Sequence, residues 1–189
     1  MDPADEHSDD RLIRSAIGGD INAFGALVTR HQHAVRRLAT ALVGSADADD
    51  VAQDSFVRAY RALATFRPGS PFRPWLLRIV VNQAGNTRRG TRRRERRHAL
   101  VAARPHAYEP EPGEAIEQTD DRRRLIDALS TLPENDRQVL IIRYLLDYSE
   151  AETAEVLGCP PGTVKSRGSR ALTKLRTHIN TATWKVSDE

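Results

Sequence analysis

Pro161 to Arg170 reads "PGTVKSRGSR", and on a helix its Thr163, Ser166, Arg167 and Arg170, with Lys174 beyond, share one outward face. An arginine there can bond the O6 and N7 edge of guanine with two parallel donors, worth about 1–3 kcal/mol of discrimination, while hydroxyls hold phosphates and fix register. The plainer alternative is a solvated amphipathic face. A second stretch, "FRPWLLRIVVNQAGNTRRG", sets Trp75, Arg78 and Asn82 at helical spacing, followed by Arg88 and Arg89. From Thr87 to Arg97 the chain carries seven arginines and one glutamate, a run that is solvated or disordered when idle and often touches nucleic acid. A tryptophan at this spacing can equally be core. A third stretch, "DADDVAQDSFVRAYRAL", puts Asp50, Gln53, Asp54 and Val57 at i, i+3, i+4 and i+7, an acidic and amide-bearing patch on one side of a helix. Periodicity alone reads that patch as solvated.

These groups need helices to hold them, and the chain spells helices throughout. "DDRLIRSAI" is stopped by Gly18 and Gly19, and Asp20 can cap the next segment. In that segment Phe24, Leu27, Val28, Val35, Leu38, Ala39 and Leu42 recur at helical spacing until Gly44. On the third stretch the expected buried stripe is Ala52, Phe56, Ala59, Tyr60 and Leu63. Ser70 can cap a helix that begins at Pro71, with Pro74 still in the first turn, where a missing N–H costs little. Phe72, Leu76, Ile79, Val80 and Gln83 form its apolar side.

Further on, "HALVAARPHAYEPEPGEAIEQTDD" mixes prolines, small residues and acids, and reads as an extended linker. A helix is expected to about Leu129, a break at Ser130 to Pro133, and a helix from Glu134 to Leu146. Ser149 with Glu152 spells a capping box, Gly158 a stop, and Pro161 a first helical position. Short helix, tight turn and basic helix make a helix-turn-helix. Val164, Ala171, Leu172, Leu175 and Ile179 are its inward stripe, interrupted at Gly168, where glycine costs about 1 kcal/mol against alanine.

Among 189 residues, 29 basic and 26 acidic side chains leave a net charge of only +3, so local patches must choose the partners. Only 5% of residues are aromatic, a composition that suits small helical bundles. The single cysteine, Cys159, excludes an intramolecular disulfide and fits a reducing compartment; it reads as a small apolar residue. No apolar run approaches the length of a membrane span and the N-terminus lacks a basic and then apolar signal sequence, so a cytoplasmic chain without membrane insertion is expected.

Taken together, "DADDVAQDSFVRAYRAL", "FRPWLLRIVVNQA" and "LPENDRQVLIIRYLLDYSEAETAEVLGCPPGTVKSR", in this order with a linker between, resemble the extracytoplasmic-function (ECF) sigma factors of the sigma-70 family. The likeness spans about Asp9 to Ile179. It implies an all-α chain of two small domains joined by a flexible linker, without a catalytic site, metal or cofactor. The implied domains are residues 9–97 and 121–180, with a disordered acidic tail at 1–8, a linker at 98–120 and a tail at 181–189. The resemblance implies that Asp50, Gln53, Asp54 and Val57 meet the clamp helices of the largest subunit of core RNA polymerase. The flap of the second-largest subunit is a further implied contact. Trp75, Arg78 and Asn82 match the part that reads and melts the minus-ten element, where an unpaired base enters a pocket. Arg88 and Arg89 would hold the backbone. Thr163, Lys165, Ser166, Arg167 and Arg170 match the helix in the major groove of the minus-thirty-five element. The acidic "EPEPGEAIEQTDD" would suit a channel that holds nucleic acid. An anti-sigma protein is the implied regulator. Gly168, Pro160 and Pro74 depart from the pattern at the recognition helix and before Trp75.

Two other functional classes share parts of this pattern. A free-standing helix-turn-helix regulator of the response-regulator type would share the last helices, but the first half lacks alternating strands and helices. A metal-dependent nuclease is suggested only by His31 and His33, whose rings would point to different sides of a helix without paired carboxylates.

Overall fold

A computed structural model of the chain describes residues 3–67, 69–99, 125 and 128–184. It divides into two compact units, Met1–Ala107 and Tyr108–Glu189, and the described residues contain helices and turns with no strand. Residues 100–120 of the expected linker, most of the start of the helix before Leu129 and the last five residues of the expected C-terminal tail lie outside the described residues.

In the first unit α1 spans Pro3–Ile17. It takes in most of the stretch expected as a disordered tail. Proline suits the first helical position, where its missing N–H has no partner to lose. Gly18 and Gly19 (φ 98°) turn the chain. Asp20 then caps α2 (Ile21–Val43) through bonds from the Asn22 and Ala23 amides, and Gly44 ends it. The buried side of α2 is Ala23, Phe24, Leu27, His31, Val35, Leu38, Ala39 and Leu42, the predicted stripe with Ala23 and His31 added and Val28 left half-buried.

α3 (Ser45–Ala62) packs on α2 and α4 with a stripe rotated from the predicted one. Ala48, Val51, Ser55 and Ala59 are buried, whereas Ala52 and Phe56 are half-buried and Tyr60 is 42% exposed. Ser55 can occupy the interior because its hydroxyl bonds the Val51 carbonyl at 2.6 Å. Tyr60 instead laps the edge of Phe24, ring centroids 4.9 Å apart. After a 3₁₀ turn at Leu63–Thr65, Gly69 (φ 81°) shapes the bend into α4 (Phe72–Ala99). The helix starts one residue later than predicted, so Pro74 remains in its first turn. Arginine-rich residues 88–97 continue the helix to Ala99 and do not form a separate disordered segment.

In the second unit residues 128–131 are helical, Leu132 and Pro133 break the chain, and α5 covers Glu134–Leu140. Its expected last turn is a π-turn over Ile141–Leu145, followed by Asp147 at φ 57°. α6 (Glu150–Leu157) and α7 (Pro161–Trp184) complete the unit. Leu132, Leu140 and Ala171 form one core cluster, flanked by Leu129, Leu172 and Leu175. Val139, Ala154 and Val164 form another, with Leu157 and Cys159 against it.

Candidate nucleic-acid interface and partner face

On α3 the rotation of the buried stripe leaves the predicted patch where a partner can reach it. Asp50, Gln53, Asp54 and Val57 are all exposed. Asp54 and Val57, with Arg58, Arg61 and Ala62, line an open groove of about 480 Å³. The two arginines escaped the sequence reading, which followed acids and amides; they continue the same i, i+4 and i+7 progression from Asp54. Asp54 is held from below, since Gln83 Nε2 of α4 donates to its Oδ2 at 2.8 Å.

On α4, Arg78, Asn82 and Arg89 are exposed, and Trp75 and Arg88 are half-buried. Trp75 belongs to an aromatic cluster, with its centroid 5.2 Å from Phe66 and 5.5 Å from Phe72. That packing fixes the ring while leaving part of it accessible. Arg88 donates to the Leu42 carbonyl at 3.1 Å, at the negative end of α2, and so ties α4 to the bundle. Arg89 donates to Asn86 Oδ1 at 2.6 Å.

In the second unit Ser149 and Glu152 form the predicted capping box, with bonds of 3.1 Å and 2.8 Å. Gly158 closes α6 in the left-handed region (φ 64°, ψ 40°), and the Cys159 amide reaches back to the Ala154 carbonyl at 3.1 Å. The Pro160 carbonyl accepts the first bonds of α7, from Thr163 and Val164. Pro160 has no side-chain acceptor and Pro161 has no N–H, so of the first turn only the Gly162 N–H is left to solvent or a ligand.

On α7 the buried and exposed faces differ from those expected at Gly168, Thr163, Arg167 and Ser169. Gly168 is buried, and a methyl group there would lie 3.4 Å from Tyr144 Oη and 3.5 Å from Val139 Cγ1. It is therefore part of the inward stripe and admits Tyr144 where a gap was expected. The exposed residues along the first turns include Gly162, Lys165, Ser166, Ser169, Arg170 and Thr173. Thr163 and Arg167 sit half-buried at the edge of this face. Lys174 is exposed, as the outward face requires, and its Nζ pairs with Asp136 Oδ2 of α5 at 2.6 Å. Ser166 bonds its own helix at the Thr163 carbonyl, and Arg170 Nε does so at the Ser166 carbonyl. Ser169 was missed because Thr163 and Arg167, read as outward, are half-buried, which turns the exposed face of the first turns towards Ser169.

Two buried charge clusters brace these units. Asp9 of α1 accepts from Arg30 at 2.5 Å and pairs with His31 Nε2 at 2.8 Å. Burial pushes the Asp9 carboxyl up, but hydrogen bonds and charge from His31 and Arg30 outweigh it and hold the group below its ordinary value. Arg137, buried in α5, pairs with Glu134. His31 thus serves packing, and His33 is exposed beside it. Among the described residues no group of three potential metal ligands gathers, and no helix is long and apolar enough to cross a membrane.

Comparison with known proteins gives these faces a context. The family model for Sigma-70 region 2 matches residues 27–94, and that for Sigma-70, region 4 matches residues 122–175. The ECF RNA polymerase sigma-E factor of Haemophilus influenzae is 33% identical over 93% of this chain and 97% of its own length. A solved structure of CnrH in complex with the cytosolic domain of CnrY is 32% identical, with a TM-score of 0.65, over 92% of this chain and 98% of that one. The sigma factor RpoE in complex with the anti-sigma factor NepR from Bartonella quintana is 25% identical, with a TM-score of 0.61, over 83% of this chain and 96% of that one. With a region 2 unit bearing an exposed acidic face, a region 4 unit carrying a helix-turn-helix, and relatives aligned along nearly their whole length, this chain belongs to the ECF sigma factors of the sigma-70 family.

Proposed function

We propose that this chain binds core RNA polymerase through the α3 face of Asp50, Gln53, Asp54 and Val57 and gives the enzyme its choice of promoter through two separate DNA contacts. In residues 9–97, Trp75, Arg78 and Asn82 take the minus-ten element, with Arg89 on the backbone; Arg88 contributes by holding α4 in place. In residues 121–180, Lys165, Ser166 and Arg170 face the minus-thirty-five element, with Thr163 and Arg167 at the edge and the flap of the second-largest subunit as a further contact. Residues 98–120 connect the two. The chain supplies no catalytic group; bond formation belongs to the polymerase.

The observation that carries this reading is the coexistence of a polar partner face on α3 with a basic, hydroxyl-bearing face on α7 in separate compact units. Tethering both DNA readers to one enzyme raises their effective concentration without any new contact. A free-standing regulator would need no α3 face of this kind. Work beside the polymerase places the chain in the cytoplasm, and two similar structures in which a protein partner is bound make an anti-sigma protein the fitting regulator. Run-off transcription with purified core polymerase on genomic fragments tests the reading. New start sites appear only when the chain is added; unchanged start sites, or failure to co-elute with core, overturn it.

A further inference from the structure

We infer that Gln83 is a positioning residue for the partner face, a buried amide that orients the Asp54 carboxylate for core polymerase; the inference rests on the assignment of that face made above. Gln83 is only 7% exposed, on the inner side of α4, while Asp54 is exposed on α3. The 2.8 Å bond between them crosses from the interior to the groove rim. A carboxylate can only accept, so the amide must present its Nε2 to Asp54 and turn its Oε1 inward. That oxygen is buried and has no hydrogen-bond partner among the described residues.

A buried acceptor without a donor destabilises a fold, and the compensating bond goes to an exposed aspartate, a weak source of stability. Val80 and Ala84, one turn before and one residue after, are fully buried, so an apolar side chain would suit the position better for packing alone. The arrangement makes sense as pre-ordering. An exposed aspartate samples several rotamers, and fixing one of them on binding costs entropy that the Gln83 bond removes in advance. The neighbouring Asn82 points outward from the same turn. One helix therefore carries both the support for the partner face and a residue of the DNA face.

A double-mutant cycle on the full chain tests this, with affinity for core polymerase measured by titration of a fluorescently labelled chain and stability by thermal melting. Gln83→Leu is expected to weaken core binding about 2–10-fold, the scale of immobilising one side chain on binding, while the melting temperature stays level or rises. With Asp54→Ala already present, the same change should alter affinity by less than about twofold. Gln83→Met, which keeps the length of the side chain without its amide, serves if the leucine variant fails to fold and should behave alike. Equal losses in both backgrounds, no loss at all, or a loss that tracks a falling melting temperature would overturn the inference alone. Wild-type affinity in Asp54→Ala would remove the assignment of the face and the inference with it.

Discussion

Asp9 and His31, 22 residues apart in the chain, meet at 2.8 Å in the interior between α1 and α2. With Arg30 on the other carboxylate oxygen, they fasten the first helix to the bundle. Because the folded-state value of Asp9 is depressed, its contribution is fully present above the ordinary carboxylate value of 3.8 and is lost as pH falls through the lower, folded value. Asp9→Ala should cost about 1–3 kcal/mol at neutral pH by stranding buried polar groups, and the wild-type advantage should shrink below about pH 4. Urea melts of both proteins across that range check the sign: an advantage that grows on acidification would refute it.

Gly168→Ala should stabilise the second unit. Its methyl group meets Tyr144 and Val139 at ordinary contact distance, and the helix gains up to about 1 kcal/mol of propensity. For a unit of this size that corresponds to a rise of roughly 4–8 °C in its melting temperature. Gly168→Leu should lower it, since the larger side chain must displace Tyr144. Calorimetry on the pair decides, and a drop with alanine would mean that the close approach tolerates no methyl.

Gly158→Ala should act in the opposite direction. Gly158 holds φ 64° and ψ 40°, and a side chain there costs about 1–2 kcal/mol. The turn between α6 and α7 would loosen, visible as faster amide exchange at Cys159 and a lower melting temperature.

Arg170→Ala should reduce transcription from the chain's own promoters while leaving core binding intact. Each phosphate contact contributes roughly −0.9 to the slope of log affinity against log salt, so loss of one should flatten the holoenzyme's salt dependence by about that amount. Ser169→Arg, on the same exposed face, should raise non-specific DNA affinity. Equal loss of core binding in Arg170→Ala would move that face away from DNA.

The helices and their ends were legible in the sequence because they are local. Asp20, the Ser149 and Glu152 box, Gly44 and Gly158 each satisfy backbone groups within a few residues, so their types and spacing suffice. The patch of Asp50, Gln53, Asp54 and Val57 was legible too, as a regular progression of polar residues ending in Val57 on one side of a helix. Tertiary structure decided which way each helix turned. Aromatic content drew the expected stripe of α3 towards Tyr60, but small Ser55 and Ala59 let α2 and α4 come close, and the serine hydroxyl could bond within its own helix. The same holds for Gly168, whose meaning depends on Tyr144 arriving from the π-turn after α5, and for Asp9 with His31 and Gln83 with Asp54. A side chain's partner across the core is fixed by how helices pack, a relation that spacing along one helix does not encode.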